Sequence, residues 1–433
     1  MNTIKRIAFF LLFSLFVLTS KAQFINQAVD SLIHLITVDS YRAHFDSLRT
    51  DQFCNRKVIS STIQSTDHNK CRDYIYHQFQ TYLGTENVYL HEFGSNDYRG
   101  LANVIGFKKG KDKNAGIWII GAHYDSNNSN EKNLMSKIIS PGANDNGTGI
   151  AAILELARIT SKLETNASIL FAAWDLEEIF TNGKATGSNS WFEEYITRKK
   201  GTKWEYLGNG ATINQNDLKA NLNFDMFGNP QVEDEGKPVL WACYATNSDI
   251  AFVENYVSIV NSYVPEIEAK LFGKLIFSDH YTFSSRKIQS VENLESGYQN
   301  DPFYHTYSDN LQNPNNIDMQ FATNVTRGGL AFLLENILPQ SGEPYISAFQ
   351  KANIHYAENP EKYFIELPEN DVAVKLLNCY GQTQKFTQEN GYLSFSPLST
   401  GLYFIQINGN TEISTGILYL YQKERPATGR PFH

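Results

Sequence analysis

Ile117-Trp118-Ile119-Ile120-Gly121-Ala122-His123-Tyr124-Asp125-Ser126 is an apolar run that ends in a histidine and an aspartate. Ile117–Gly121 reads as a short strand, and a glycine-rich turn follows downstream, Pro141-Gly142-Ala143-Asn144-Asp145-Asn146-Gly147-Thr148-Gly149. After the turn, Ile150, Ile153, Leu154 and Ala157 recur at helical spacing. Ser168–Trp174 and Asn221–Met226 are further runs of strand length. Nearer the N-terminus, Asn87–Phe93 and Leu101–Phe107 read as a strand pair. Strand, helix, strand in that order predicts right-handed crossovers into one mostly parallel sheet. The alternation of apolar and amphipathic stretches from about Gln23 to Leu338 predicts an α/β layered fold.

Outward from this core the texture changes twice. At the N-terminus, Lys5-Arg6 precedes an apolar run from Ile7 to Leu18, and Ser20-Lys21-Ala22 offers small residues for a signal peptidase. The run falls short of the ~20 residues of a membrane span, so residues 1–22 read as a secretory signal peptide cleaved after Ala22. The sequence leaves open whether a pro-segment lies between Gln23 and Thr50. At the other end, the polar stretch Pro339–Pro344 reads as part of a linker over 339–345. Beyond it, Val372, Val374 and Leu376 alternate, as do Tyr403, Ile405 and Ile407, and Asn408-Gly409 is a hairpin signal. Residues 346–433 therefore read as a small all-β module, of a size that folds alone.

Composition excludes several classes. The chain has 433 residues, 42% of them apolar and 19% charged, with 28 Phe and 24 Tyr. That describes a packed globule of two or three domains, not a disordered chain. A net charge of −9, with no basic run longer than Arg198–Lys200, argues against a nucleic-acid partner. The 4 Cys form no CxxC pair. In an exported protein Cys54 and Cys71 are spaced so that they could pair, and Cys243 and Cys379 read as single buried thiols.

The acids and histidines gather at strand ends. In an extended chain His123 and Asp125 point to one face, so Asp125 can hold the second ring nitrogen of His123, as metal-bound histidines require. Such a pair is also common without a metal. Asp145 in the glycine-rich turn suits either a helix cap or a bridging carboxylate. Phe171-Ala172-Ala173-Trp174-Asp175-Leu176-Glu177-Glu178 carries three acids off the end of a core strand, where open α/β sheets place their ligands. One glutamate of the pair can ligate a metal while the other acts as general base. Asp225 closes a strand before Gly228, and His305 lies in the turn-rich Phe303–Asn310, each unremarkable alone. Together His123, Asp145, Glu178, Asp225 and His305 offer imidazoles and carboxylates without a thiolate. That donor set suits a hydrolytic zinc site more than a structural one. A carboxylate shared by two ions gives a centre with the ions about 3.5–4 Å apart.

Over roughly Asn55 to Pro339 the sequence resembles the secreted zinc aminopeptidases of the MH clan, whose relatives include carboxypeptidases and glutaminyl cyclases. Five motifs match in order: the His-x-Asp strand end, the Gly-Ala-Asn-Asp-Asn-Gly turn, the Glu-Glu pair, the Asp-Met-Phe-Gly strand end and the Tyr-His-Thr loop. The resemblance implies a three-layer α/β/α catalytic domain over 23–338 acting on peptides. It implies that Asp145 bridges two zinc ions, with His123 and Asp225 completing one and Glu178 and His305 the other. Glu177 would be the general base, Asp125 would stand behind His123, and Asp279 of Ser278-Asp279-His280 would stand behind the ligands. One departure is that Ile179 to Thr186 separates the glutamates from Gly187-Ser188 by more than the usual spacing, and would border the substrate pocket.

The tail from about Phe364, with Leu398-Ser399-Thr400-Gly401-Leu402-Tyr403-Phe404, resembles the sorting domains of type IX secretion substrates, although Gln422 to His433 runs past their usual end. The resemblance implies contact with secretion machinery and a secreted or surface location; a β accessory domain is the other reading. Two alternatives to the aminopeptidase stand beside it. A single-zinc glutaminyl-peptide cyclotransferase is compatible with His123-Tyr124-Asp125-Ser126 and with the lengthened segment after Glu178. A non-catalytic binding ectodomain would predict missing ligands, and none is missing.

Overall fold

The structure, a computed structural model, describes residues 25–49, 56, 66–94, 100–132, 139–181, 184–198, 213–230, 236–313 and 316–338, together with strand segments between 354 and 420. The signal segment, the linker, Cys54 and Cys379 lie outside the described residues.

The described residues open with three helices, α1 (Gln27–Ile33), α2 (Val38–Arg49) and α3 (Thr66–Leu83). Asn26 caps α1 by accepting the amide of Ala28 at 3.0 Å. Val29, Ile33, Tyr41 and Phe45 are at most 1% exposed, so α1 and α2 pack an apolar face into the core. Cys71 on α3 is a free, fully buried thiol whose pKa burial pushes up to about 12. Cys71 packs in the core with Ile75 and Phe79, and the pairing proposed for it falls on Cys54, outside the described residues. Cys243 is a free buried thiol, as expected.

Strands β1 (Val88–Phe93) and β2 (Leu101–Lys108) pair antiparallel, then β3 (Ile117–His123) leads through the turn into α4 (Gly149–Thr160) and β4 (Ser168–Trp174). The lengthened segment after Glu178 forms a short ladder of β5 (Phe180–Thr181) and β6 (Lys184–Ala185). It leads into α5 (Thr186–Trp191). There follow β7 (Leu218–Phe224), β8 (Val239–Tyr244), α6 (Ile250–Tyr263), β9 (Glu268–Lys274), α7 (His280–Ser284), β10 (Gln289–Glu295) and α8 (Met319–Ile337). The eight strands run in the order β1-β2-β4-β3-β7-β10-β8-β9. The central β4, β3, β7 and β10 are mutually parallel, as the sequence predicts.

Both faces of these strands are covered, which is why β3 and β4 read as unbroken apolar runs. Ile120, Phe171 and Leu222 face one core with α1–α4, α6 and α8, while Ile119, Leu170 and Trp174 face another with Trp191 and Phe283. The result is the expected three layers. Several strand ends differ from the sequence reading, by one residue for β1 and β2 and by more for β3 and β7. β3 runs on to His123, and β7 spans Leu218–Phe224 because Met226, with φ at 35°, turns the chain away. Among the described residues no helix is long and apolar enough to cross a membrane.

The described elements beyond 353 are all strands. β11 (Ile354–Tyr356), β12 (Tyr363–Glu366), β14 (Thr387–Glu389) and β15 (Tyr392–Phe395) make one antiparallel sheet, in which β12 and β15 are central. β13 (Ala373–Asn378), β16 (Gly401–Asn408) and β17 (Ile413–Leu420) make another, with Asn408 opposite Ile413.

Candidate metal centre

Because the four central strands are parallel, their C-terminal ends share one edge of the sheet, and the acids and histidines follow from them. His123 is the last residue of β3, Glu177 and Glu178 follow β4, Asp225 follows β7, and His305 lies in the loop after β10. Between β4 and the glutamates, Leu176 takes a φ of 57°, and His305 takes 55°. Left-handed backbone at non-glycine residues is strained and tends to persist at functional sites.

The glycine-rich turn is held to β7 by its own amides. Asn146 donates to the carbonyl of Phe224 at 2.8 Å and accepts from Gly149 and Met226. Asn144 accepts from Gly228 at 2.8 Å and donates to Glu295 at 2.9 Å. Gly142 has a φ of 60°, and a Cβ there would lie 2.5 Å from the carbonyl oxygen of Asp145. The Asp145–Asn146 peptide is cis. Asp309 accepts the amides of Asn144 at 2.6 Å and Asp145 at 3.0 Å.

So held, Asp145 faces both imidazoles. Its Oδ1 lies 3.3 Å from His123 Nε2 and its Oδ2 lies 3.0 Å from His305 Nε2. His123 Nε2 is also 3.2 Å from Asp225 Oδ1 and 4.0 Å from Glu177 Oε2. His305 Nε2 is 3.1 Å from Glu178 Oε2. One ligand atom from each of His123, Asp145 and Glu178 lies within 4.8 Å of the others. All five ligand candidates and Glu177 thus converge.

Burial sets the electrostatics. It raises Glu177 well above the usual range, helped by Asp225, Glu178 and Asp279 and opposed by His123. Burial and the charge of Asp145 push Glu178 up to about 7, against His305. For the imidazoles burial works the other way but is overcome. Asp225 and Glu177 raise His123, and Glu178 and Asp145 raise His305 to about 10. Asp145 is drawn well below its ordinary value, since both imidazoles outweigh its burial. Four carboxylates thus crowd two imidazoles, and Glu178 Oε1 is buried without a hydrogen bond. A buried donor set with surplus negative charge, nitrogen and oxygen ligands and no thiolate fits zinc.

The supporting acids divide the work differently from the sequence reading. Asp125 lies 3.5 Å from His123 Nδ1, but the Asp125 backbone carbonyl is nearer, at 3.2 Å. Its carboxylate mainly accepts the amides of Glu177 and Glu178, at 3.0 and 3.1 Å, and so fixes the turn that aims them. Asp175, the first acid of the run, faces away from the centre, accepting from Tyr124 at 2.7 Å and meeting His68 at 3.1 Å. Asp279 is fully buried, and burial pushes it up to about 8 against the pull of His123 and Ser188. Sequence reasoning missed Arg56 and Asp309 as parts of the frame. Asp309 had one signal, its place just after the Tyr-His-Thr loop.

The Peptidase family M28 model matches residues 103–328. Aminopeptidase YwaD of Bacillus subtilis (strain 168) is 34% identical over 112 residues, 24% of this chain and 22% of that protein. A probable leucine aminopeptidase of Arthroderma otae is 32% identical over 221 residues, 49% of this chain and 52% of that protein. The chain therefore spans about a fifth to a half of the length of these curated relatives. Among solved structures, the LapA aminopeptidase of Legionella pneumophila is similar with a TM-score of 0.53 and 20% identity, covering 71% of this chain and 74% of that one. A glutaminyl cyclase of Macrostomum lignano is similar with a TM-score of 0.54 and 16% identity, covering 72% and 93%. At these identities the likeness is one of fold.

Proposed function

The chain belongs to peptidase family M28, whose model matches over half of it, and on that premise we propose that it is a zinc aminopeptidase with two ions. The observation that carries the reading is Asp145, whose two carboxylate oxygens each face a different imidazole. A carboxylate so placed would bridge, with His123 and Asp225 completing one ion and His305 and Glu178 the other. Bound zinc would supply Lewis acidity for the scissile carbonyl and for the attacking water.

The chain's own residues do the rest. Glu177 accepts the proton of the water and returns it to the leaving amine. Asp125 keeps Glu177 aimed through its bond to the Glu177 amide. Met226, Leu275, Leu294, Tyr298 and Tyr304 form an apolar cluster beside the ligands. Its ring of Tyr304 stacks on His305 at 3.8 Å between centroids. That wall suits an apolar first side chain of the substrate.

The test is mass spectrometry of peptides beginning with Leu, Phe, Lys and Gln, incubated with and without a chelator. Chelator-sensitive loss of whole N-terminal residues is the expected result. Loss of ammonia from the Gln peptide alone would make the protein a cyclase instead. The same reading takes residues 1–22 as an export signal and 346–433 as a sorting module. Deleting 346–433 should then leave the protein in the periplasm, and unchanged release would overturn the sorting role.

A further inference from the structure

Arg56 lies in the segment before β1, outside the part that matches the family model. It is 2% exposed. Its Nε donates to the carbonyl of Tyr124 at 2.8 Å, and its Nη2 donates to the carbonyl of Gly142. Tyr124 sits between His123 and Asp125, and Gly142 opens the turn that carries Asp145. The arginine backbone joins the same two segments, donating to Ser140 at 3.2 Å and accepting from Ser126 at 3.2 Å. Below it, His68 Nδ1 meets the Arg56 carbonyl at 3.0 Å.

The turn is shaped around this side chain. A Cβ on Gly142 would lie 2.8 Å from Arg56 Nη2, and one on Gly147 would lie 3.8 Å away. At Gly142 a side chain would press on the guanidinium, whereas at Gly147 it would only touch it. Only a planar fork reaches two carbonyls in fixed directions; a lysine ammonium is a point charge on a flexible stem.

We propose that Arg56 is a positioning residue that fixes the separation of His123 from Asp145, and so sets how tightly the centre holds metal. The proposal rests on the preceding reading in taking those two residues as ligands. Groups that orient metal ligands from behind are worth about 10- to 100-fold in metal affinity.

The test is zinc transfer from the loaded full-length chain to a chromophoric chelator, with the melting temperature of the stripped protein as a control. R56K should release zinc about 10- to 100-fold faster than wild type while its stripped form melts at the wild-type temperature. Release at the wild-type rate from folded R56K would overturn the proposal, as would a lowered melting temperature with unchanged release. If R56K does not fold, the wild-type chain decides through arginine-labelled NMR. The Arg56 Nε–H should exchange slowly with solvent even in the stripped protein, and exchange at the rate of a free side chain would overturn the clamp. A wild-type chain that takes up no zinc overturns the metal reading and this one with it. Zinc held equally by wild type and R56K overturns this one alone.

Discussion

Glu155 and Glu178 are both buried carboxylates facing a histidine, and the fold treats them in opposite ways. Glu155 receives a fork from Arg158, with Nε and Nη2 each at 2.7 Å, a hydroxyl from Ser40 at 2.7 Å and His44 at 3.1 Å. Burial alone would raise it, yet Arg158 and His44 hold it down at about 2. Glu178 has His305 but, among the described residues, no arginine, and burial with Asp145 pushes it up to about 7. One cluster is neutralised by the arginine of the same helix and serves stability. The other gathers carboxylates around two imidazoles and is built to share them with a metal ion.

The comparison breaks most sharply at Asp145. D145A should lose bound zinc and all measurable turnover while remaining folded, as elemental analysis and circular dichroism would show. A variant that kept two ions per chain would remove the bridging role. Next in size is E177Q, which should lower kcat by about 10²- to 10⁴-fold with zinc content unchanged. Normal turnover in E177Q would take the general base away from this residue. At Glu155 the expected effect is on stability alone. E155Q leaves Arg158 and His44 without their partner and should cost about 3 kcal/mol, read by denaturant unfolding. Zinc content and kcat per folded molecule should hold, and loss of zinc in E155Q would erase the distinction between the clusters.

The smallest effect is in acid. The folded-state pKa of Glu155, about 2, lies below the unfolded value of about 4.3. Its contribution is therefore complete above about pH 4.3 and is lost as the pH falls toward 2. Wild type should lose more stability than E155Q between pH 5 and pH 2. Parallel stability curves for the two proteins would contradict the assignment.

The parts of this contrast differ in how readily they can be read from sequence. β3, β4 and β7 are legible because buried parallel strands are continuous apolar runs, and their ends announce His123, Glu177, Glu178 and Asp225. The general base could not be chosen from spacing, since Glu177 and Glu178 are adjacent; the fold places Glu177 Oε2 4.0 Å from His123 and Glu178 Oε2 3.1 Å from His305. Arg56 is invisible in a polar stretch without periodicity, because its partners are carbonyls 68 and 86 residues away. The same holds for Asp309, which reaches the amides of Asn144 and Asp145 across the loop after β10. Asp175 is a different case. The sequence assigns it no role beside the glutamate pair, and the turn at Leu176 sends it toward His68 while the glutamates go to the centre.

The most direct test of the bridged centre is anomalous diffraction at the zinc edge from crystals of the loaded full-length protein. Two zinc peaks are expected, one beside Asp145 Oδ1 with His123 and Asp225, the other beside Asp145 Oδ2 with Glu178 and His305. A single peak, or two that do not share Asp145, would contradict it.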